Sequence, residues 1–198
     1  MKKLFIIIII FISFQSWTKA DDIRDFEIEG MSIGDSALDF FKKETIDDIK
    51  SYYPNSKKFF RASLAYKSNS FERIQLHIID NDPNYTIHAI SGLIFYREKS
   101  VSEENCLKKH NEIRKDLSSS LSNLKISKAK KEILKQDKTG NSHHYTIYYD
   151  FNEKKTEFIK LGCVIYGKEY FDKKGFFNHL RLGFQNKRFT HWMQNDAF

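Results

Sequence analysis

From residue 59 onward, apolar and polar positions alternate with a period of two in three successive segments. "FFRASLAYK" places Phe60, Ala62, Leu64 and Tyr66 on one side. "FERIQLHIID" does the same with Ile74, Leu76 and Ile78. "YTIHAISGLIFYR" is almost wholly apolar or small, and its Gly92 suggests a bulge. "SNS" and "NDPN" are the turn signals between them, and such short connections favour antiparallel hairpins. The period then changes. Cys106, Ile113, Leu117, Leu121 and Leu124 trace one face of a helix over about 103–124, with Ser102 as its cap and Glu103 and Glu104 in its first turn. Beyond a Lys-rich connection, period two returns in "HHYTIYYDFN", "TEFIKLGCVIYG" and "FFNHLRLGF". A terminal helix is expected from Thr190.

Upstream, "IEGMSIGDSALDFF" reads as a helix start near Ile33. Ser32 and Asp35 have capping-box spacing, Gly30 supplies the entry turn, and Ile33, Ala37, Phe40 and Phe41 form an apolar face. "ETIDDIKSYYP" predicts a second short helix, with Thr45 and Asp48 repeating the cap. The same glycines and serines also invite a phosphate cradle. That reading fails on its chemistry: no Lys follows, and Glu27, Glu29 and Asp35 would repel an anion.

These elements predict an α+β fold: an antiparallel sheet of about six strands packed against one long amphipathic helix. Helix starts near residues 33 and 103 suggest two αβββ halves, without a residue-level repeat between them.

The two cysteines both fall on inward parity. Cys106 faces the core from the helix. Cys163 shares a strand face with Ile159, Leu161 and Ile165. A disulfide between them would tie helix to sheet across 57 residues, worth about 4 kcal/mol in the chain-entropy treatment. Neither position suits a reactive thiol, which needs an electropositive, partly exposed setting.

That pairing presumes an oxidising compartment, and the N-terminus agrees. Lys2 and Lys3 precede an apolar run from Leu4 to Phe14, interrupted only by Ser13, and Thr18 and Ala20 suit signal-peptide cleavage. The run is shorter than the roughly 20 residues that span a bilayer. The expected organisation is a signal peptide over 1–20, cleavage after Ala20, and a single domain over 21–198, periplasmic or secreted, with no transmembrane segment in the mature chain.

Charge adds an asymmetry. Residues 21–100 carry 11 basic and 14 acidic groups, and residues 101–198 carry 19 and 12. Six lysines lie between Lys125 and Lys138. The basic half suggests an envelope protein or an anionic surface as partner, while nucleic acid is not expected for an exported chain. Lys125–Lys138 itself reads as a solvated connection.

Residues Ile28 to Leu38 resemble an I-x-G-M-S-I-G-x-S-L-like block that follows the signal peptide in a family of small, exported, uncharacterised bacterial proteins. Ala37 stands where a larger apolar residue is usual. A fainter likeness is to small envelope-assembly lipoproteins and secreted β-lactamase-inhibitor-like modules, although no lipid-attachment cysteine follows Ala20. These resemblances imply export and a compact α+β domain, and no activity or site residue.

No catalytic set stands out. There is no Gly-x-Ser-x-Gly elbow, no H-E-x-x-H and no cysteine pair at zinc spacing. A metal site composed from His77, His88 and Asp80 of neighbouring strands has no motif to support it, and no metal or cofactor is called for. The expectation is a non-enzymatic binding or envelope-interaction module. The alternative is a small hydrolase or metal-dependent enzyme with a site assembled from distant residues.

Overall fold

The computed structural model describes residues 22–66, 70–134, 137–173 and 175–198, so the expected signal peptide over 1–20 and its expected cleavage site lie outside the described residues. The six alternating segments form strands where the pattern places them: β2 (Phe59–Ala65), β3 (Arg73–Ile79), β4 (Ile87–Tyr96), β7 (His143–Asp150), β8 (Phe158–Ile165) and β9 (Asn178–Gln185). Three further strands raise the count from the expected six to nine. They are β1 (Ser51–Tyr52), β5 (Lys125–Ile126) and β6 (Lys130–Ile133). All join one antiparallel sheet in the order β1-β2-β3-β4-β9-β8-β7-β5, with β6 also paired to β7. The Lys-rich segment is therefore no mere connection. Three of its lysines, Lys125, Lys130 and Lys131, stand on edge strands, where charge discourages pairing with another chain.

The sheet contains two three-stranded meanders, β2-β3-β4 and β7-β8-β9, which meet through their third strands. That order agrees with two αβββ halves in topology. The helices do not match: α1 (Lys43–Asp47) has five residues and α2 (Lys99–Ser120) has 22. Among the described residues no helix is long and apolar enough to cross a membrane.

One sheet face carries the main core. Phe60, Ala62, Leu64, Ile74, Leu76, Ile78, Ile147, Ile159, Leu161 and Leu180 all point to it, covered by α2 and the N-terminal segment. Helix α2 departs from its expected form. It begins four residues before 103, so Ser102 lies inside it rather than capping it. Buried Ser102 accepts from Asn178 Nδ2 at 2.7 Å and donates to Lys99 O. Its inward face runs through Ser102, Cys106 and His110 before reaching Leu117, which makes it more polar than an amphipathic helix requires. Asn178 explains how Ser102 is satisfied there. Cys106 and Cys163 form a disulfide with Cα atoms 6.0 Å apart, fastening α2 to β8.

The helix expected near Ile33 is absent. Glu29 and Gly30 both adopt positive φ (54° and 77°) in a tight turn that pairs Ile28 with Met31. Backbone bonds from Gly34 to Ile87 and from Ile87 to Asp35 then hold the segment beside the start of β4. Half of the capping box survives: the Ser32 amide donates to Asp35 at 2.7 Å, but the Ser32 hydroxyl donates to Phe26 O instead. Ser36 caps a short 3-10 turn, Ala37–Asp39. Thr45 is inside α1 rather than at its cap. The sequence "GMSIGDSA" thus seals the core, burying Met31, Ile33 and Ala37.

Two smaller expectations are also corrected. The register shift in β4 lies opposite His77/Ile78, next to His88, and not at Gly92. Gly92 instead admits the ring of Phe71; an added Cβ there would stand 2.5 Å from ring carbons. The terminal helix α3 (Lys187–Asn195) starts before Thr190, because Asn186 caps it by accepting from the Phe189 amide at 3.0 Å.

Candidate functional site

The opposite sheet face is only half covered. Helix α3 and the C-terminal residues pack Phe189, Trp192 and Ala197 against Phe59 and Ala89 in a second, smaller core. The remainder of this face, over β9, β8 and β7, forms the floor of a trough of about 970 Å3. Its walls come from α3 on one side and β6 on the other.

Strand register decides what faces the trough. Leu161, Cys163 and Ile165 point to α2, so Lys160, Gly162 and Val164 point the other way. On β9 the outward set is Arg181 and Gly183. Antiparallel pairing sets Arg181 opposite Gly162 and Gly183 opposite Lys160. These four residues form a square with cations on one diagonal and glycines on the other. Its cause is legible as a repeated tripeptide: Lys160-Leu161-Gly162 on β8 and Arg181-Leu182-Gly183 on β9. Each glycine removes a side chain from beside a cation, and diagonal neighbours in such pairs stand about 7–8 Å apart.

Arg61 and His77, paired across β2 and β3, extend the floor toward α3. The Arg181 guanidinium donates through Nη2 to Gln75, while its Nε is buried without a hydrogen-bond partner. No carboxylate pairs with Arg61, Lys160 or Arg181 among the described residues. The trough contains one carboxylate, Glu132 on its rim, which lies 3.4 Å from His144 Nε2 and whose side chain is 53% exposed. Burial lowers the Lys160 ammonium, and the facing Arg181 lowers it further, with Glu132 opposing. Arg181 is itself pushed down by burial. Three cations thus line a single cavity with one acid at its edge.

His77 is a neutral member of the site. Burial holds it well below the ordinary histidine range, reinforced by Arg181 and Arg61. Its Nδ1 meets the Tyr53 hydroxyl at 2.9 Å, and its ring lies on Phe189. Burial pushes the Tyr53 phenol up to about 12. Neither group is poised to exchange protons near neutral pH, and His77 contacts no nucleophile or carboxylate.

The residues singled out from sequence lie elsewhere. Both cysteines are fully buried behind the floor, joined to each other. The metal set is not brought together. His77 turns to Tyr53, His88 Nδ1 meets Asn186 Nδ2, and Asp80 accepts from Tyr52; among the described residues no three His, Cys, Asp or Glu side chains form a metal-binding group. The six lysines of 125–138 contribute Lys125 to β5 and Lys130 and Lys131 to β6, beside the trough rather than on its floor. Arg61, Lys160 and Arg181 escaped the sequence reading because polar residues at alternate strand positions are ordinarily solvated. The paired cation-Leu-Gly tripeptides were the signal that marked two of them.

Comparison with family models, with curated proteins and with solved structures returned no match, so the trough is interpreted on its own geometry.

Proposed function

We propose that this protein is an exported, non-enzymatic binding module whose open sheet face takes an anionic ligand. The supporting observation is Arg181: a guanidinium set in the cavity floor, with a buried Nε lacking a partner and further cations rather than acids around it. Folding usually pairs such a group, because a buried polar atom left unsatisfied costs about 1–3 kcal/mol, more when charged. Arg181 lines the trough, so an acceptor for this group would come from a ligand bound there. An arriving carboxylate or phosphate would accept from the guanidinium and lie against Lys160, a charge-assisted arrangement stronger than a neutral hydrogen bond.

A binding role also fits the rest of the site. His77 and Tyr53 are locked in their neutral forms, and the thiols are consumed in the disulfide. The signal-peptide pattern and the helix-to-sheet disulfide together support an oxidising compartment.

The test is thermal denaturation with inorganic, dicarboxylic and alkyl anions at constant ionic strength. An anion at 100 times its dissociation constant stabilises by about 2.7 kcal/mol. For a chain of this size that is a rise of about 5–10 °C. The rise should vanish in the double variant Arg181→Met, Lys160→Met. If no anion raises the melting temperature, or the double variant responds equally, the reading fails.

A further inference from the structure

The trough is far larger than its cationic square. Ligand pockets span about 300–1,000 Å3, and this one stands at the upper end. An inorganic anion seated between Arg181 and Lys160 would leave most of that space to water. The remaining walls are also of the wrong chemistry for a second charged group. Met193, Phe189 and Phe198 line the α3 side, and Ile133, Leu134 and Val164 line the β6 side. Two of these apolar side chains are strongly exposed, Ile133 at 63% and Phe198 at 71%. They belong to different elements, on opposite walls of one cavity. Isolated exposed apolar residues need no explanation, but two converging on a cationic floor define an amphipathic site.

We infer that the ligand is an amphiphile, with one oxyanion head on the Arg181–Lys160 floor and an apolar body held between the α3 and β6 walls. This rests on the anion-binding reading and narrows it. The head chemistry is that of a carboxylate or a phosphate ester, since a guanidinium fork accommodates either. The body fills the space between Met193 and Phe198 on one side and Ile133 on the other. A long polyanion such as nucleic acid is disfavoured, because positive charge is confined to the floor while the α3 and β6 walls carry Met193, Phe198 and Ile133.

Calorimetric titration of the exported chain with straight-chain carboxylates from butyrate to dodecanoate, below their micellar concentrations, tests this. Decyl phosphate, decanol and decylamine complete the set. Affinity should rise about three- to fourfold per methylene until the walls are filled, as burial of about 0.8 kcal/mol per methylene requires. Decanol and decylamine should bind at least tenfold more weakly than decanoate, and decyl phosphate against decanoate identifies the head. Arg181→Met should cost decanoate at least tenfold while leaving decanol unchanged. Ile133→Ser and Phe198→Ser, at exposed positions where the fold is not at stake, should flatten the chain-length dependence. If butyrate binds as tightly as decanoate, the apolar body is refuted and the anion reading stands. If decanol equals decanoate, or no carboxylate or phosphate ester binds, both readings fall.

Discussion

Arg181 on β9 donates to Gln75 on β3 across an intervening strand, passing over Ser91 of β4. The long arm is possible because the row between them is short: Gln75 pairs with Ser91, and Ser91 with Gly183. An arginine held this way is extended along the floor, not rising from it, so its charge lies flat beneath the cavity.

Replacing Arg181 by methionine should therefore separate stability from binding. The variant removes a buried, unsatisfied cation from beside Lys160 and Arg61. Its melting temperature should be unchanged or higher, while anion affinity falls ten- to hundredfold, the worth of about 1.5–3 kcal/mol for a hydrogen bond to a charged group. Parallel denaturation and titration decide it. A large drop in melting temperature would mean that Arg181 is structural.

The disulfide predicts a different pattern. Denatured without reductant, the chain should show no alkylatable thiol by mass spectrometry. Cys106→Ala with Cys163→Ala should lose about 4 kcal/mol through the 57-residue loop, a fall of roughly 10 °C.

Acid should weaken the fold before its carboxylates titrate. Burial holds His77, His88, His110, His144 and His179 below the ordinary histidine range, His179 down to about 4. In the unfolded chain each takes up a proton near pH 6.5. Stability from these groups is thus complete above about pH 6.5 and lost as pH falls toward 4. Urea midpoints measured from pH 7.5 to 4.5 should decline steadily, and His179→Gln should reduce the slope by up to one proton. A profile flat to pH 5 would contradict the burial of these rings.

Gly92→Ala should destabilise by about 1–3 kcal/mol, the usual cost of overpacking, because the new Cβ would meet the body of the Phe71 ring. Adding Phe71→Ala should recover part of the loss in a denaturant titration.

How far the sequence predicted this arrangement differs from element to element. Strands β2, β3 and β8 were legible because their inward faces are apolar without interruption, and β9 because Leu180, Leu182 and Phe184 follow Asn178 on its inward face. Strands β5 and β6 were not: "KI" and "KKEI" are short, and their exposed lysines hide the pairing that β7 supplies from 10 or more residues away. Ser102 obeyed the cap rule in sequence and broke it in space, because Asn178 arrives from 76 residues away to satisfy it. The start near Ile33 failed for a similar reason. Its backbone bonds to Ile87 and Tyr85 replaced the helical ones that local propensity favoured. The trough was the least legible part. Its walls come from α3 and β6, and no local pattern records that they face one another.

Strand β8 has one further consequence. Its successive residues serve two sides in turn: Cys163 is tethered to α2 behind the sheet, while Gly162 and Val164 on either side of it look into the trough. Covalent closure and the floor of the trough are consequently one backbone step apart. Reduction of the Cys106–Cys163 bond would release α2 from the strand whose other face lines the trough, so the redox state of the chain bears on the shape of that cavity.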